Sequence, residues 1–373
     1  MRLISKLVGG AVLAIAAVSA NALAQPASPW SSLVIFGDSL SDTGNVLSLT
    51  TAFGQPPFPS FPGAQGRFSN GPAWTEYLAS GLNLPSGATP SNLLFNGTGV
   101  VPIGATGGQN YAYGGARTGL GGSAGATTGL LGQLIAWNGT PSILGGGPLT
   151  RAADPNALYV VMAGANDLRD FRSGVSGAPT PTTVAGNVVS ALGLLANAGA
   201  RHFMISTLPD LGLTPEAVSL GRTVQSTAAT LAFNNALTSL AGSFDAGYKL
   251  STGIDLDIRT LDFYGLFNRV VTDAVGGNNG AEFGITNVTS ACITPGGFSG
   301  QYYFADAVGV ACNVAAFSDN LHPSAKAHQL LGEMAVQTAM APVPEPAEYA
   351  MMIAGLLLIA GIHRRRAKAS VTA

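Results

Sequence analysis

The sequence predicts an α/β protein, a three-layer α/β/α sandwich built on a central, mostly parallel sheet. Three observations predict it. Short apolar runs alternate with helical stretches along the chain, the best of those runs are apolar at every position rather than at every second one, and glycines close them.

Leu33-Val34-Ile35-Phe36 is a compact first strand ending at Gly37, and residues 157–162 read as a buried central strand ending at Gly164. Residues 184–198 read as a helix that Gly199 punctuates before a strand at 202–206. Residues 216–240 read as one long helix. Ile254, Leu256 and Ile258 alternate as an edge strand, and residues 324–340 close the domain as a helix. No internal repeat is present. Two stretches read as loops: 53–70, rich in Pro and Phe, and 97–132, rich in Gly. The glycines do not form a phosphate cradle, because no Lys followed by Ser or Thr sits at the required spacing. A surface loop, or backbone approaching a substrate, is the reading that remains.

The 373 residues accommodate one large α/β domain, and their balance of charge is bland: 10% charged residues and a formal net charge of -2. Lysines and arginines are scattered apart from Arg364-Arg365-Arg366, which gives no footprint for nucleic acid. The ends read as sorting segments. Residues 1–24 carry Arg2 and Lys6, an apolar run and Ala22-Leu23-Ala24, the pattern of a signal peptide recognised by export machinery. Residues 342–373 carry Val343-Pro344-Glu345-Pro346, an apolar stretch at 349–362 and the arginine cluster, which is the arrangement of a membrane-held segment with its basic end cytoplasmic. The order of these three elements resembles the PEP-CTERM signal of Gram-negative bacteria, which implies recognition and cutting by an exosortase after transient inner-membrane anchoring. The domain proper is then 25–341, destined for the cell surface or the medium. Export makes the two cysteines, Cys292 and Cys312, candidates for a disulfide stapling the loop ahead of residue 319, against the alternative of two reduced buried thiols.

The chemistry concentrates in four short segments. Gly37-Asp38-Ser39-Leu40 follows the first strand, so the Ser39 hydroxyl lies at the carboxyl edge of the sheet, where open α/β folds place their sites. The blander reading is that Asp38 or Ser39 caps a helix. Asn110-Tyr111-Ala112-Tyr113-Gly114-Gly115 offers adjacent glycines where a backbone N–H can approach a ligand. Gly164-Ala165-Asn166-Asp167 follows the central strand and puts Asn166 at the same edge. Asp319-Asn320-Leu321-His322 supplies an acid and a base three residues apart. A nucleophile, two donors, a base and its orienter are the parts of acyl transfer through a serine. Of four histidines, His202 opens a strand, His363 lies in the tail and His328 sits on the last helix without a nearby carboxylate, which leaves His322.

These segments, in this order, resemble the GDSL family of SGNH hydrolases, and Arg67-Phe68-Ser69-Asn70-Gly71 resembles an element of its longer branch. The resemblance spans residues 33–341. It implies the flavodoxin-like SGNH-hydrolase fold, an esterase or lipase acting on an acyl ester, Ser39 as nucleophile, Asp319 and His322 completing a triad, and Ser39, Gly114 and Asn166 forming an oxyanion hole, with Gly115 as a substitute for Gly114. No cofactor and no metal are implied, since the remaining acids and histidines form no ligand cluster. Two alternatives keep the fold: an acyltransferase using the same site, and a catalytically silent surface-binding module. Phe53, Phe58, Phe61, Trp74, Tyr302 and Tyr303 are candidates to line an acyl groove.

Overall fold

The computed structural model describes residues 28–61, 64–295, 302–304 and 310–342. Apart from Pro342, the sorting segments expected at 1–24 and 342–373 lie outside the described residues, and no helix among the described residues is long and apolar enough to cross a membrane.

The chain runs β1 (Leu33–Gly37), α1 (Asn45–Ala52), α2 (Trp74–Gly81), β2 (Leu93–Phe95), β3 (Val100–Pro102), α3 (Leu130–Asn138), β4 (Leu158–Met162), α4 (Ala165–Arg172), α5 (Pro181–Asn197) and β5 (His202–Ser206). It continues through α6 (Pro215–Ser219), α7 (Thr223–Thr252), β6 (Asp257–Leu261), α8 (Phe263–Val275), β7 (Asn287–Ala291), β8 (Ile293–Pro295), β9 (Tyr302–Phe304), β10 (Ala315–Phe317) and α9 (Ala325–Met340). The main sheet has the order β1-β4-β5-β6, all parallel. A further extended segment at 109–113 lies parallel to β1 on its free side: Ile35 N–H donates to Gln109, Tyr111 N–H to Ile35 and Tyr113 N–H to Gly37. Counting that segment, the spatial order is the doubly wound 2-1-3-4-5, with the switch point at β1.

Alternation along each strand explains why the strands are apolar at every position. Val34, Phe36, Tyr159, Val161, Phe203 and Ile205 point to one face, where they join side chains of α3, α5 and α7 in one core. Leu33, Ile35, Leu158, Val160, Met162 and Met204 point to the other, against α2, α8 and α9. Both faces are covered over β1, β4 and the middle of β5, where a polar side chain would be left unsolvated, whereas the edge strand β6 carries Asp257, Arg259 and Thr260, and the three-layer sandwich follows. Local caps agree with the layers: Thr180 with Pro181 opens α5, Thr214 with Pro215 opens α6, and Ser324 opens α9.

The single long helix expected over 216–240 is two helices. Gly221 adopts φ +63°, a left-handed conformation, and breaks the run between α6 and α7. The break lets α6 turn toward the end of α4, which matters below. The edge strand also starts three residues later than the alternation of Ile254, Leu256 and Ile258 suggests. The two loop stretches are largely irregular, but β3 and the first turn of α3 fall inside the second.

Cys292 and Cys312 are joined by a disulfide, with Cα atoms 5.1 Å apart and a sequence separation of 20. Cys292 is buried with Phe61, Ala64, Ile293 and Ala315 in a small core of its own. The bond ties the approach to β10 onto the end of β7, and β10 leads directly into Asp319. Chain-entropy reasoning gives a loop of this size about 3 kcal/mol. Cys292→Ser is therefore expected to lower the melting temperature by about 5–10 °C under oxidising conditions. A melting point unchanged by the substitution would show that the staple contributes nothing.

Candidate active site

Ser39 sits on the turn that leaves β1, 6% exposed. The turn is held by Asp38, whose carboxylate accepts the Leu40 N–H at 3.1 Å and whose carbonyl accepts the N–H groups of Ser41 and Asp42. Neither Asp38 nor Ser39 caps a helix, because α1 begins at Asn45. That job falls to Asp42, which accepts the N–H groups of Gly44, Asn45 and Val46. A hydrogen-bonded turn therefore separates Ser39 from the first helix.

His322 reaches the serine from the far end of the chain. Its Nε2 lies 2.9 Å from Ser39 Oγ and its Nδ1 lies 2.8 Å from Asp319 Oδ2. The other oxygen of Asp319 accepts the backbone N–H groups of Leu321 and His322 at 2.8 and 2.7 Å, so the acid shapes the loop carrying the base. Burial pushes the Asp319 carboxyl up, but the His322 ring and these hydrogen bonds outweigh it and hold the group below the ordinary carboxylate range. Phe68 packs its ring 5.2 Å from the His322 ring. Its neighbours explain the segment around it: Ser69 Oγ donates to Pro323 O, and Asn70 Oδ1 accepts the Ala325 N–H, so this segment clamps the residues after His322.

Asn166 stands in the first turn of α4, beside the carboxyl end of β4, 6% exposed. Its Nδ2 donates to Ala116 O at 2.9 Å, which leaves the second amide hydrogen free. Gly114 departs from expectation. Its N–H donates to Asp42 Oδ2 at 2.8 Å and is committed. A Cβ on Gly114 would also lie 2.2 Å from Phe68 Cζ, so the residue is glycine to admit the ring that packs on His322. The N–H groups of Gly115 and Ser39 have no hydrogen-bond partner among the described residues, and both residues line the same cavity as His322. The sequence pattern offers two adjacent glycines, and the structure shows which N–H is spoken for.

That cavity has a volume of about 660 Å³ and walls that are largely apolar. Val46, Leu49, Phe53, Phe58, Phe68 and Leu94 line it, together with Ser123, Ala124, Gly125, Thr127 and Thr128. Of the aromatic groove candidates, Phe53 and Phe58 line it. Phe61 and Trp74 instead are fully buried in the core, the latter donating Nε1–H to Ser41 Oγ. The side chains of Tyr302 and Tyr303 lie outside the described residues. A narrow apolar slot, lined by Leu40, Leu208, Phe263, Phe267 and Phe317 among others, also borders Ser39. Among the described residues no group of three or more His, Cys, Asp or Glu is placed to hold a metal ion.

His328 and His202 are not hydrogen-bonded to Ser39, His322 or Asp319. His328 is 1% exposed, accepts the Trp74 N–H on Nδ1 at 3.1 Å, and is pushed by burial down to about 3. His202 opens β5 at the opposite end of the strand, against Trp30 and Asp257.

A doubly wound sheet with a serine, a histidine and an aspartate aligned at its switch point is the arrangement that serine hydrolases use. The chain belongs to the GDSL-like lipase/acylhydrolase family, whose family model matches residues 33–334. It is similar to the esterase EstA of Pseudomonas aeruginosa, with 30% identity over 84% of this chain and 48% of that protein. It is also similar to the thermolabile hemolysin of Vibrio parahaemolyticus, with 33% identity over 49% of this chain and 35% of that protein. A third relative is the phosphatidylcholine-sterol acyltransferase of Aeromonas hydrophila, with 27% identity over 56% of this chain and 53% of that protein. The chain spans about half the length of these relatives or less.

Proposed function

We propose that this chain is an exported serine ester hydrolase that works through an acyl-enzyme on Ser39. The observation that carries the reading is the line of contacts from Ser39 Oγ through both nitrogens of His322 to Asp319 Oδ2, 2.9 and 2.8 Å long, at the edge of an apolar cavity. With Nδ1–H donated to Asp319, Nε2 accepts the Ser39 proton as Oγ bonds to the ester carbonyl carbon. The developing oxyanion is met by the N–H groups of Ser39 and Gly115 and by the free Nδ2–H of Asn166. Collapse breaks the carbon–oxygen bond to the alcohol, which leaves with the proton from Nε2, and water repeats the sequence in reverse to free the acid and regenerate Ser39.

The apolar lining favours an ester with an apolar acyl group, and the words esterase, hemolysin and acyltransferase in the names of the relatives agree with an acyl ester. Transfer of the acyl group to an alcohol in place of water is the second reading, supported by the relative that bears that name. Both readings use the same residues, and a competing alcohol in the assay separates them.

The domain responsible is 25–341, preceded by a signal peptide and followed by a sorting segment that an exosortase removes. Support comes from Pro342, Pro344 and Pro346, which cannot continue α9, and from the apolar run with arginines beyond them. Expressed as residues 25–341, the protein should hydrolyse a short chromogenic ester with the turnover of the longer chain, and be soluble. A truncated protein that is folded but inactive would overturn this division.

A further inference from the structure

Arg169 is one helical turn past Asn166 on α4, and three observations give it a role that its ion pair does not explain. Its Nη1 donates to Asn166 Oδ1 at 3.3 Å. Its Nε donates to Glu216 Oε2 at 3.0 Å while Nη2 donates to Oε1, a fork-to-fork contact that fixes the guanidinium plane. It lines both the wide cavity and the narrow slot that border Ser39.

Glu216 is shared by two cations: against the upward push of burial, Arg169 and then Arg172 hold its carboxyl below the ordinary range. Arg172, whose side chain is 2% exposed, already pairs with the same carboxylate and requires it as a counter-charge, and the two arginines and Glu216 carry a net charge of +1. The Arg169 side chain is 31% exposed, and pairs of that kind contribute little to stability. What Arg169 alone does is claim the carbonyl end of the Asn166 amide. With Oδ1 held by a cation and Nδ2 donating to Ala116 O, the amide has one orientation, and its remaining hydrogen is the one left for the cavity. A nearby positive charge on Oδ1 also polarises the amide, which strengthens N–H donation to a developing anion. Glu216 holds the guanidinium in place, and its own backbone N–H donates to Asn320 O at 2.8 Å, inside the Asp319–His322 loop. One residue therefore ties the oxyanion side of the site to the acid and base side.

We propose that Arg169, held by Glu216, is a positioning residue that fixes and polarises the Asn166 amide for oxyanion stabilisation. This rests on the reading of Asn166 as an oxyanion donor. Deleting such a donor costs about 100- to 1,000-fold in kcat, and loosening one should cost a fraction of that, about 10- to 30-fold. Arg169→Met keeps the apolar stem and removes the fork. On a neutral short-chain ester it should lower kcat by that amount with KM nearly unchanged and the melting temperature within about two degrees of the parent, and Arg169→Lys should recover part of the loss. The decisive measurement is the double variant with Asn166→Ala. If Arg169 acts through Asn166, adding Arg169→Met to Asn166→Ala costs almost nothing further. Full additivity of the two losses overturns the proposal, as does a loss confined to KM on esters carrying an anionic group, which would make Arg169 a direct substrate contact. If instead Asn166→Ala alone leaves kcat intact, it is the oxyanion reading of Asn166 that fails.

Discussion

Ser39→Ala is expected to lower kcat on a short-chain ester by about 10⁵- to 10⁶-fold while leaving the thermal unfolding curve almost where it was. The size follows from what the hydroxyl does. Without Oγ no carbon–oxygen bond to the enzyme can form, and the residual rate comes only from the oxyanion donors and from binding. The small effect on stability follows from the contacts, because the Ser39 side chain makes a single hydrogen bond, to His322 Nε2, on the wall of a cavity that water can enter. The turn that carries it is held by Asp38 and not by the serine. Initial rates with a chromogenic ester, paired with a melting curve, decide the matter. Near-parent turnover in a folded Ser39→Ala protein would sink the assignment of the nucleophile.

The sequence speaks clearly where a signal is local. Strands β1, β4 and β5 were legible because burial on two faces leaves runs that are apolar through their centres, and Gly37 after β1 and Gly164 after β4 marked the sheet edge at which Ser39 and Asn166 emerge. Asp319 and His322 were legible because they lie three positions apart in one short segment. What stayed hidden depends on direction or on distance along the chain. Residue types cannot tell that the Gly114 N–H turns to Asp42, 72 residues away, while the next one is left unengaged. The segment at 109–113 lacks the apolar pattern of a strand, and only its hydrogen bonds to β1 reveal that it completes the doubly wound order. The apolar periodicity over 216–240 reads straight through Gly221, since a helix break costs nothing in periodicity, and with it went the contact of Glu216 with Arg169, 47 residues earlier. Phe68 was visible as part of a motif but not as the ring packed on His322.

His322→Ala is expected to be as damaging as the serine change, about 10⁵- to 10⁶-fold in kcat, because nucleophile and base act as one unit and the loss of either removes the whole covalent route. Asp319→Ala should cost less, about 10⁴-fold, since the imidazole can still take a proton when it is neither oriented nor stabilised as a cation. Asp319 also accepts two backbone N–H groups, so the alanine variant frees the Asp319–His322 loop, and part of its loss should appear as a lower melting temperature. Asp319→Asn separates the two roles, because an amide oxygen can still accept those N–H groups while the negative charge is gone: stability should return and activity should not. His328→Ala and His202→Ala are the controls. The first removes a fully buried ring that accepts the Trp74 N–H, so it should destabilise the fold by about 2–4 kcal/mol while the folded fraction keeps its turnover. The second lies at the opposite end of β5 and should leave kcat within about twofold, the range of an ordinary substitution away from the chemistry. Turnover measured per folded molecule sorts these outcomes. If His328→Ala or His202→Ala abolishes it and His322→Ala does not, the base has been assigned to the wrong histidine.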